Sequence, residues 1–302
     1  MSRAEPCRSL VALPPRFALR CGVFRIFSVT RMCTVLASIS FDDPRSQSIR
    51  FLEEAARFGD LHVVLWSDDQ VRAATGAGPK FPLAERRYYL ENLRHVAGVA
   101  VVEGELPVVP EIPGVEAKAW VVAENDGGAD AEAAAVERGI RYEVISNRDL
   151  DAFPEASMEP KPVTAGRKKV LVTGCYDWFH SGHVRFFEEV SELGDVYAVV
   201  GHDANIALLK GAHHPMFKQD ERRYIVASLK TVHQAFISTG SGYLDAAPEI
   251  ERIQPDIYAV NEDGDKGGKS EFCREKGIDY VVLRRTPKEG LTKRSSTGLR
   301  GF

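Results

Sequence analysis

A chain that writes one long phrase twice is committed to building one fold twice. Residues 35–60, VLASISFDDPRSQSIRFLEEAARFGD, lie without a gap on residues 170–195, VLVTGCYDWFHSGHVRFFEEVSELGD, and ten of the 26 positions are identical. Average residue usage gives roughly one or two by chance. The register continues through LHVVLWSDD and VYAVVGHDA. After one inserted residue, Glu85-Arg86-Arg87-Tyr88 meets Glu221-Arg222-Arg223-Tyr224, and ERGIRYEVI (137–145) later meets EKGIDYVVL (275–283). This is a tandem duplication of a unit of about 130 residues, in keeping with the two domains that the length suggests.

The expected division is a first unit at 32–150, a linker at 151–167 and a second unit at 168–302. The linker, DAFPEASMEPKPVTAGR, is rich in Pro and charge. Residues 1–31 carry six Arg, no Lys and one acid (Glu5), and are expected to be a disordered or spurious extension dispensable for folding; an Arg-rich transit peptide is the other reading.

Within each unit apolar strands alternate with amphipathic helices. KKVLVTG is a short apolar run closed by Gly174. SGHVRFFEEVSELG has helical spacing, with Val184, Phe187, Val190 and Leu193 on one face and Gly194 at the C-terminal cap. DVYAVVGHD, QAFIS, DIYAVNED and DYVVLRR read as further strands. Alternation of this kind predicts a Rossmann-like α/β fold: a parallel sheet flanked by helices, built twice, with ligands at the carboxyl ends of the strands.

A net charge of −4 and a pI of about 6.1 disfavour a broad nucleic-acid surface. No apolar run approaches the ~20 residues of a membrane span. Five cysteines without a CxxC pair point to reduced thiols and a cytoplasmic setting.

The two copies differ where chemistry would sit. His180 and His183 fall in the turn after a strand and in the first turn of a helix, three residues apart and so on one face. The helix N-terminus supplies unpaired N–H groups and favours phosphate. Gly182 allows close approach to the backbone. In the first copy Arg45 stands for His180, Gln47 for Gly182, Ser48 for His183 and Thr75 for Lys210, while Asp42 and the ERRY tetrad remain. No counterpart of SSTGLR follows RYEVISNRDL. One copy is therefore read as catalytic and the other as silent, kept for an internal pseudo-dimer interface, a homodimer or a regulator. Arg45→Ala and Ser48→Ala are expected to leave turnover alone.

VTGCYDWFHSGH resembles the first motif of the cytidylyltransferase-like nucleotidyltransferases. These include the choline-phosphate, ethanolamine-phosphate and glycerol-phosphate cytidylyltransferases, the adenylyltransferase domain of heptose-phosphate synthesis and archaeal-type FAD synthases. The resemblance spans residues 168–300. It implies catalytic roles for His180, His183 and Lys210. It implies nucleotide contacts from Thr173, Gly174, Cys175, Tyr176, Asp177, Gly182, Arg222 and Asp263. Ser295, Ser296 and Thr297 match a closing hydroxyl-rich motif. Two departures stand out: Asn261-Glu262 where glycine or aspartate is usual, and Arg294 in place of an apolar residue.

The implied reaction is transfer of a nucleotidyl group from a nucleoside triphosphate to a small phosphomonoester, with release of pyrophosphate and Mg2+ carried on the nucleotide. The ending RTPKEGLTKRSST favours CTP as donor, with CMP transferred; ATP is the alternative. A nucleotide-binding regulator without turnover is the reading from another class, and intact His180, His183 and Lys210 argue against it. Cys175 is expected to pack the turn rather than act as a nucleophile. Lys266, Lys269 and Lys293 could receive an anionic acceptor, but charges of this kind are usually solvated surface. The sequence does not name the acceptor.

Overall fold

The computed structural model describes residues 33–284, 286–296 and 298–299. The expectations for residues 1–31 and for Thr297 lie outside the described residues. The first half runs β1 (Thr34–Ile39), α1 (Ser46–Ala55), β2 (Asp60–Trp66), α2 (Asp68–Thr75), α3 (Leu83–Glu91), β3 (Gly98–Val102), β4 (Ala119–Ala123), α4 (Ala129–Glu137), β5 (Arg141–Ile145) and α5 (Asn147–Leu150). The second runs β6 (Lys169–Gly174), α6 (Ser181–Leu193), β7 (Asp195–Val200), α7 (Asp203–Lys210), α8 (Gln219–Ala227), β8 (Val232–Ile237), α9 (Ala247–Ile253), β9 (Ile257–Asn261), α10 (Lys269–Lys276) and β10 (Asp279–Leu283).

Each half forms a five-stranded sheet, ordered β3-β2-β1-β4-β5 and β10-β9-β6-β7-β8, and every described pairing between these strands is parallel. The fold is Rossmann-like, as the strand–helix alternation predicts. The order reverses between β1 and β4 in one sheet and between β6 and β9 in the other, which opens a crevice at the carboxyl ends of those strands. Val35 to Ala37 and Val170 to Val172 are buried, as strands covered on both faces must be. Gly59 and Gly194 occupy one position of the duplicated unit. A Cβ on either would collide with the backbone oxygen of Cys33 or Lys168 respectively, so the tight helix-to-strand turn requires glycine twice.

The halves differ between their third and fourth strands. The second half crosses over through α9, whereas residues 103–118 form no helix. Pro107, Pro110 and Pro113 fall there and remove backbone donors at every third position. Residues 151–168 carry neither helix nor strand and lie along the second sheet. Lys161 N donates to Gln234 Oε1 at 2.6 Å and Thr164 N to Asp195 Oδ2 at 2.6 Å.

One apolar cluster runs through both halves and includes Tyr89, Leu93, Phe179, Phe187, Ile225 and Leu229. Around it the contacts come in matched pairs. Ser46 Oγ donates to Glu221 Oε1 (2.6 Å) and Ser181 Oγ to Glu85 Oε1 (2.5 Å). Tyr224 OH donates to Glu53 Oε2 (2.6 Å) and Tyr88 OH to Glu188 Oε2 (2.8 Å). Arg94 N donates to Ser228 O (2.9 Å) and Lys230 N to Asn92 O (3.0 Å). Each pair exchanges one position of the unit with its repeat, the signature of a self-complementary interface. No described helix is long and apolar enough to cross a membrane.

Candidate active site

The crevice at the switch point of the second sheet is a cleft of about 340 Å³. Thr173 and Gly174 line it from the end of β6, and Val260 and Asn261 from the end of β9. Cys175, Tyr176, Asp177 and Trp178 follow from the loop, and Gly182 and His183 from the start of α6. Lys210 closes α7, while Asp263, Lys269, Ser295 and Ser296 complete the lining. The structure thus brings residues separated by more than 100 positions to one place.

The start of α6 is built by its two histidines. His180 is the N-cap, in extended backbone conformation, and its Nδ1 accepts from Gly182 N at 3.0 Å. His183 Nδ1 accepts in return from His180 N at 3.3 Å. This is a capping box written with imidazoles. While those bonds hold, each ring carries its proton on Nε2, because a backbone N–H can only donate. The rings stack at 4.1 Å between centroids, and Phe179 also stacks against His183 at 5.0 Å. A Cβ at position 182 would meet the His180 ring, so Gly182 lets that ring lie against the helix start. In the first half Arg45 caps α1 without a side-chain bond.

Tyr176 adopts a left-handed backbone (φ 52°), as does its counterpart Phe41 (φ 48°), a conformation costly for a side-chain-bearing residue. It folds the Tyr176 ring back over Gly174, where a Cβ would clash with it. Thr173 Oγ1 shares a 2.7 Å hydrogen bond with Tyr258 OH. Burial pushes the Cys175 thiol up, against the pull of Lys210 and Arg222, which disfavours the thiolate. Burial raises the Tyr176 phenol as well.

Three sequence-derived site residues have different surroundings from those expected. Arg222 does not line the cleft. It is fully buried, and its guanidinium donates to Phe217 O, Cys175 O, Gly201 O and Asp203 Oδ1 at 2.5–2.9 Å. Its counterpart Arg86 makes the matching bonds to Phe81 O, Ser40 O, Trp66 O and Asp68 Oδ1 in the half without histidines. Arg222 is therefore a brace beneath the loop. Asp177 borders the cleft, but its carboxylate accepts from Met216 N and Phe217 N at 2.8–3.0 Å, as Asp42 does from Lys80 N and Phe81 N. His180 is 1% exposed and stands behind His183.

Lys269 is the residue that sequence reasoning left on the surface. It lines the cleft, donates to Gly264 O at 3.1 Å and lies over the Tyr258 ring. Burial lowers its ammonium below the ordinary lysine value, with Asp245 and Asp265 opposing. The available signal was the first half, where Ala131 takes its place. His214 also lines the cleft; Lys266 and Lys293 do not.

The equivalent cleft of the first half is larger, about 660 Å³, and no Lys, Arg or His lines it among the described residues. Ser48, Ala131 and Asn125 stand there for His183, Lys269 and Asp263. A triphosphate would meet cations in one cleft and, in the other, neutral side chains and the carboxylates of Asp42, Asp43 and Asp126.

A cytidylyltransferase-like family model matches residues 171–298. An FAD synthase from Ferroglobus placidus is 36% identical over 127 residues, covering 40% of this chain and 78% of that protein. The bifunctional protein HldE of Nitratiruptor sp. is 33% identical over 178 residues, covering 56% of this chain and 37% of that protein. The crystal structure of a lipopolysaccharide core biosynthesis protein from Thermoplasma volcanium covers 41% of this chain and all of that one, at 23% identity and a TM-score of 0.34.

Proposed function

The chain belongs to the cytidylyltransferase-like family of nucleotidyltransferases, and from that premise we propose that it is an adenylyltransferase that joins AMP from ATP to a small phosphomonoester. One phosphate oxygen of the acceptor attacks the α-phosphorus of ATP. The bond from that phosphorus to the α–β bridging oxygen breaks, pyrophosphate leaves, and a new phosphoanhydride links acceptor and AMP. No covalent bond to the protein is needed.

The observation that carries the reading is the convergence of His183, Lys210 and Lys269 on one cleft at the α6 N-terminus, with neutral residues at all three places in the silent half. His183 Nε2–H donates to the α-phosphate, where charge grows in the transition state. His180 fixes the tautomer and orientation of His183. Lys210 and Lys269 face the β- and γ-phosphates, and Ser295 and Ser296 close over the triphosphate. Among the described residues no group of three or more side chains could hold a metal ion of the protein's own. A magnesium ion would suit the site as part of the nucleotide, held mainly by phosphate oxygens and water with Asp263 as a protein ligand, where it would neutralise charge.

AMP is favoured over CMP by the relatives. FAD, the product named for the synthases, is a flavin mononucleotide joined to AMP, so making it by nucleotidyl transfer requires an adenylyl donor. The closing segment's likeness to CTP users is the weaker guide, because Arg294 interrupts it. A cytoplasmic setting remains part of this proposal. The test is pyrophosphate release with ATP, CTP, GTP and UTP against a panel of acceptors that includes flavin mononucleotide and sugar phosphates. ATP should exceed CTP by at least about tenfold in kcat/KM, a discrimination of roughly 1.4 kcal/mol. A CTP preference would overturn the adenylyl reading.

A further inference from the structure

One carboxylate of the silent half reaches both the start of α6 and the closing segment of the catalytic half. Glu85, on α3, is 4% exposed. Its Oε1 accepts from Ser181 Oγ at 2.5 Å, and its Oε2 accepts from Arg294 Nε at 3.0 Å and pairs with Arg294 NH2 at 2.9 Å. Ser181 is the first residue of α6, between His180 and Gly182. Arg294 immediately precedes Ser295 and Ser296, and its guanidinium lies over the Phe81 ring, also from the silent half, at 5.6 Å. One buried group thus ties the helix start on one wall of the cleft to the closing segment on the other.

The internal symmetry isolates what is special about Glu85. Its counterpart Glu221 accepts from Ser46 in the same way, at 2.6 Å. The silent half has no closing segment to offer it, and Arg45 instead lays its guanidinium over Phe217, the counterpart of Phe81, at 4.9 Å. The matched interface therefore becomes unequal at Glu85, where Arg294 departs from the family pattern.

We infer that Glu85 of the silent half is a positioning residue for nucleotidyl transfer, setting the closing segment and the start of α6 at the separation that a bound triphosphate requires. This rests on the nucleotidyl-transfer activity of the cleft and not on which base is used. A buried carboxylate deprived of its partner, or an arginine deprived of its carboxylate, is poorly placed for any other arrangement, so loss of either should loosen the same wall.

The test compares full-length Glu85→Gln, Arg294→Met, the double variant and Glu221→Gln. Kd for ATP is measured by calorimetry, KM and kcat by pyrophosphate release, and melting by circular dichroism. Glu85→Gln and Arg294→Met should each raise Kd and KM for the nucleotide about tenfold and lower kcat, and the double variant should lose no more than either single one, as coupled partners do. Glu221→Gln should lower melting to a similar degree while Kd, KM and kcat stay within twofold. A purely structural role would reduce the active fraction and leave Kd and KM in place. Unchanged constants in Glu85→Gln or Arg294→Met, additive losses, or equal effects from Glu221→Gln would overturn the inference. Arg294→Met decides it if Glu85→Gln fails to fold. Absence of turnover in the wild type would count against the activity alone, because the ATP affinities still rank the four variants.

Discussion

Leu93 and Leu229 face each other as an isolated antiparallel bridge, and they are one residue of the duplicated unit meeting itself. Both are essentially buried, so the pseudo-two-fold axis passes through apolar core and not through solvent. Leu93→Ala and Leu229→Ala should each cost about 2–5 kcal/mol, yet the chain should still unfold in one transition because the cluster is shared. A chain cut to residues 165–302 would expose that cluster and should lose solubility and activity. Two separate calorimetric transitions, or a fully active fragment, would contradict the shared core.

The paired imidazoles predict two different losses. His183→Ala removes a donor that lines the cleft and should lower turnover by about 10²–10³. His180→Ala removes the N-cap as well, which adds about 1 kcal/mol of destabilisation. His183 accepts only the longer return bond of the capping box, at 3.3 Å against 3.0 Å, so its loss should destabilise less. Melting temperatures measured beside kcat test this, and a His180→Ala variant that melts with the wild type would remove the structural role of His180.

The duplication, the strand–helix alternation and the place of the cleft were legible because each follows from local pattern: apolar runs, helical spacing and a helix start after a strand. The backbone bonds that Arg222 and Asp177 make were not read from the sequence, although the clue was present. Arg86 and Asp42 persist in a half that has lost its histidines, and a residue kept where the chemistry has gone is holding the fold. Lys269 gave the converse signal. The Ser–Glu ties across the halves were not legible, since Glu85 and Ser181 lie 96 positions apart and each reads locally as an ordinary helix residue.

Arg45 illustrates the same gap. It stands at the His180 position and is expected from sequence to be a neutral control, but its guanidinium lies 5.6 Å from the ring centroid of Trp178, which lines the candidate cleft. Arg45→Ala should therefore lower kcat/KM several-fold by freeing Trp178, with a cation–π contribution of about 0.5–1 kcal/mol lost. Ser48→Ala, whose hydroxyl donates to Asp43 O within its own half, should leave kcat/KM unchanged. Identical kinetics for the two variants would show that Arg45 does not act on the catalytic loop.

Glu188 makes the interface acid-sensitive. Partial burial tends to raise its carboxyl, but hydrogen bonds from Lys288, Arg185 and Tyr88 outweigh burial and hold it down at about 2, from an ordinary 4.5. The folded state therefore binds this proton less readily than the unfolded chain. The stabilisation is complete above about pH 4.5 and is lost as pH falls toward 2. Its mirror residue Glu53 shifts in the same direction, again against burial, through Tyr224 and Arg50. Glu188→Gln should cost about 2 kcal/mol at pH 7, the scale of hydrogen bonds to a charged group. The gap from wild type should hold between pH 7 and 5 and narrow at pH 4 and pH 3, as the wild-type carboxyl loses its advantage and the variant does not titrate. Urea unfolding of both proteins at those pH values measures it. A gap that stays constant to pH 3 would mean that the bonds from Lys288, Arg185 and Tyr88 do not discriminate the carboxylate from its neutral form.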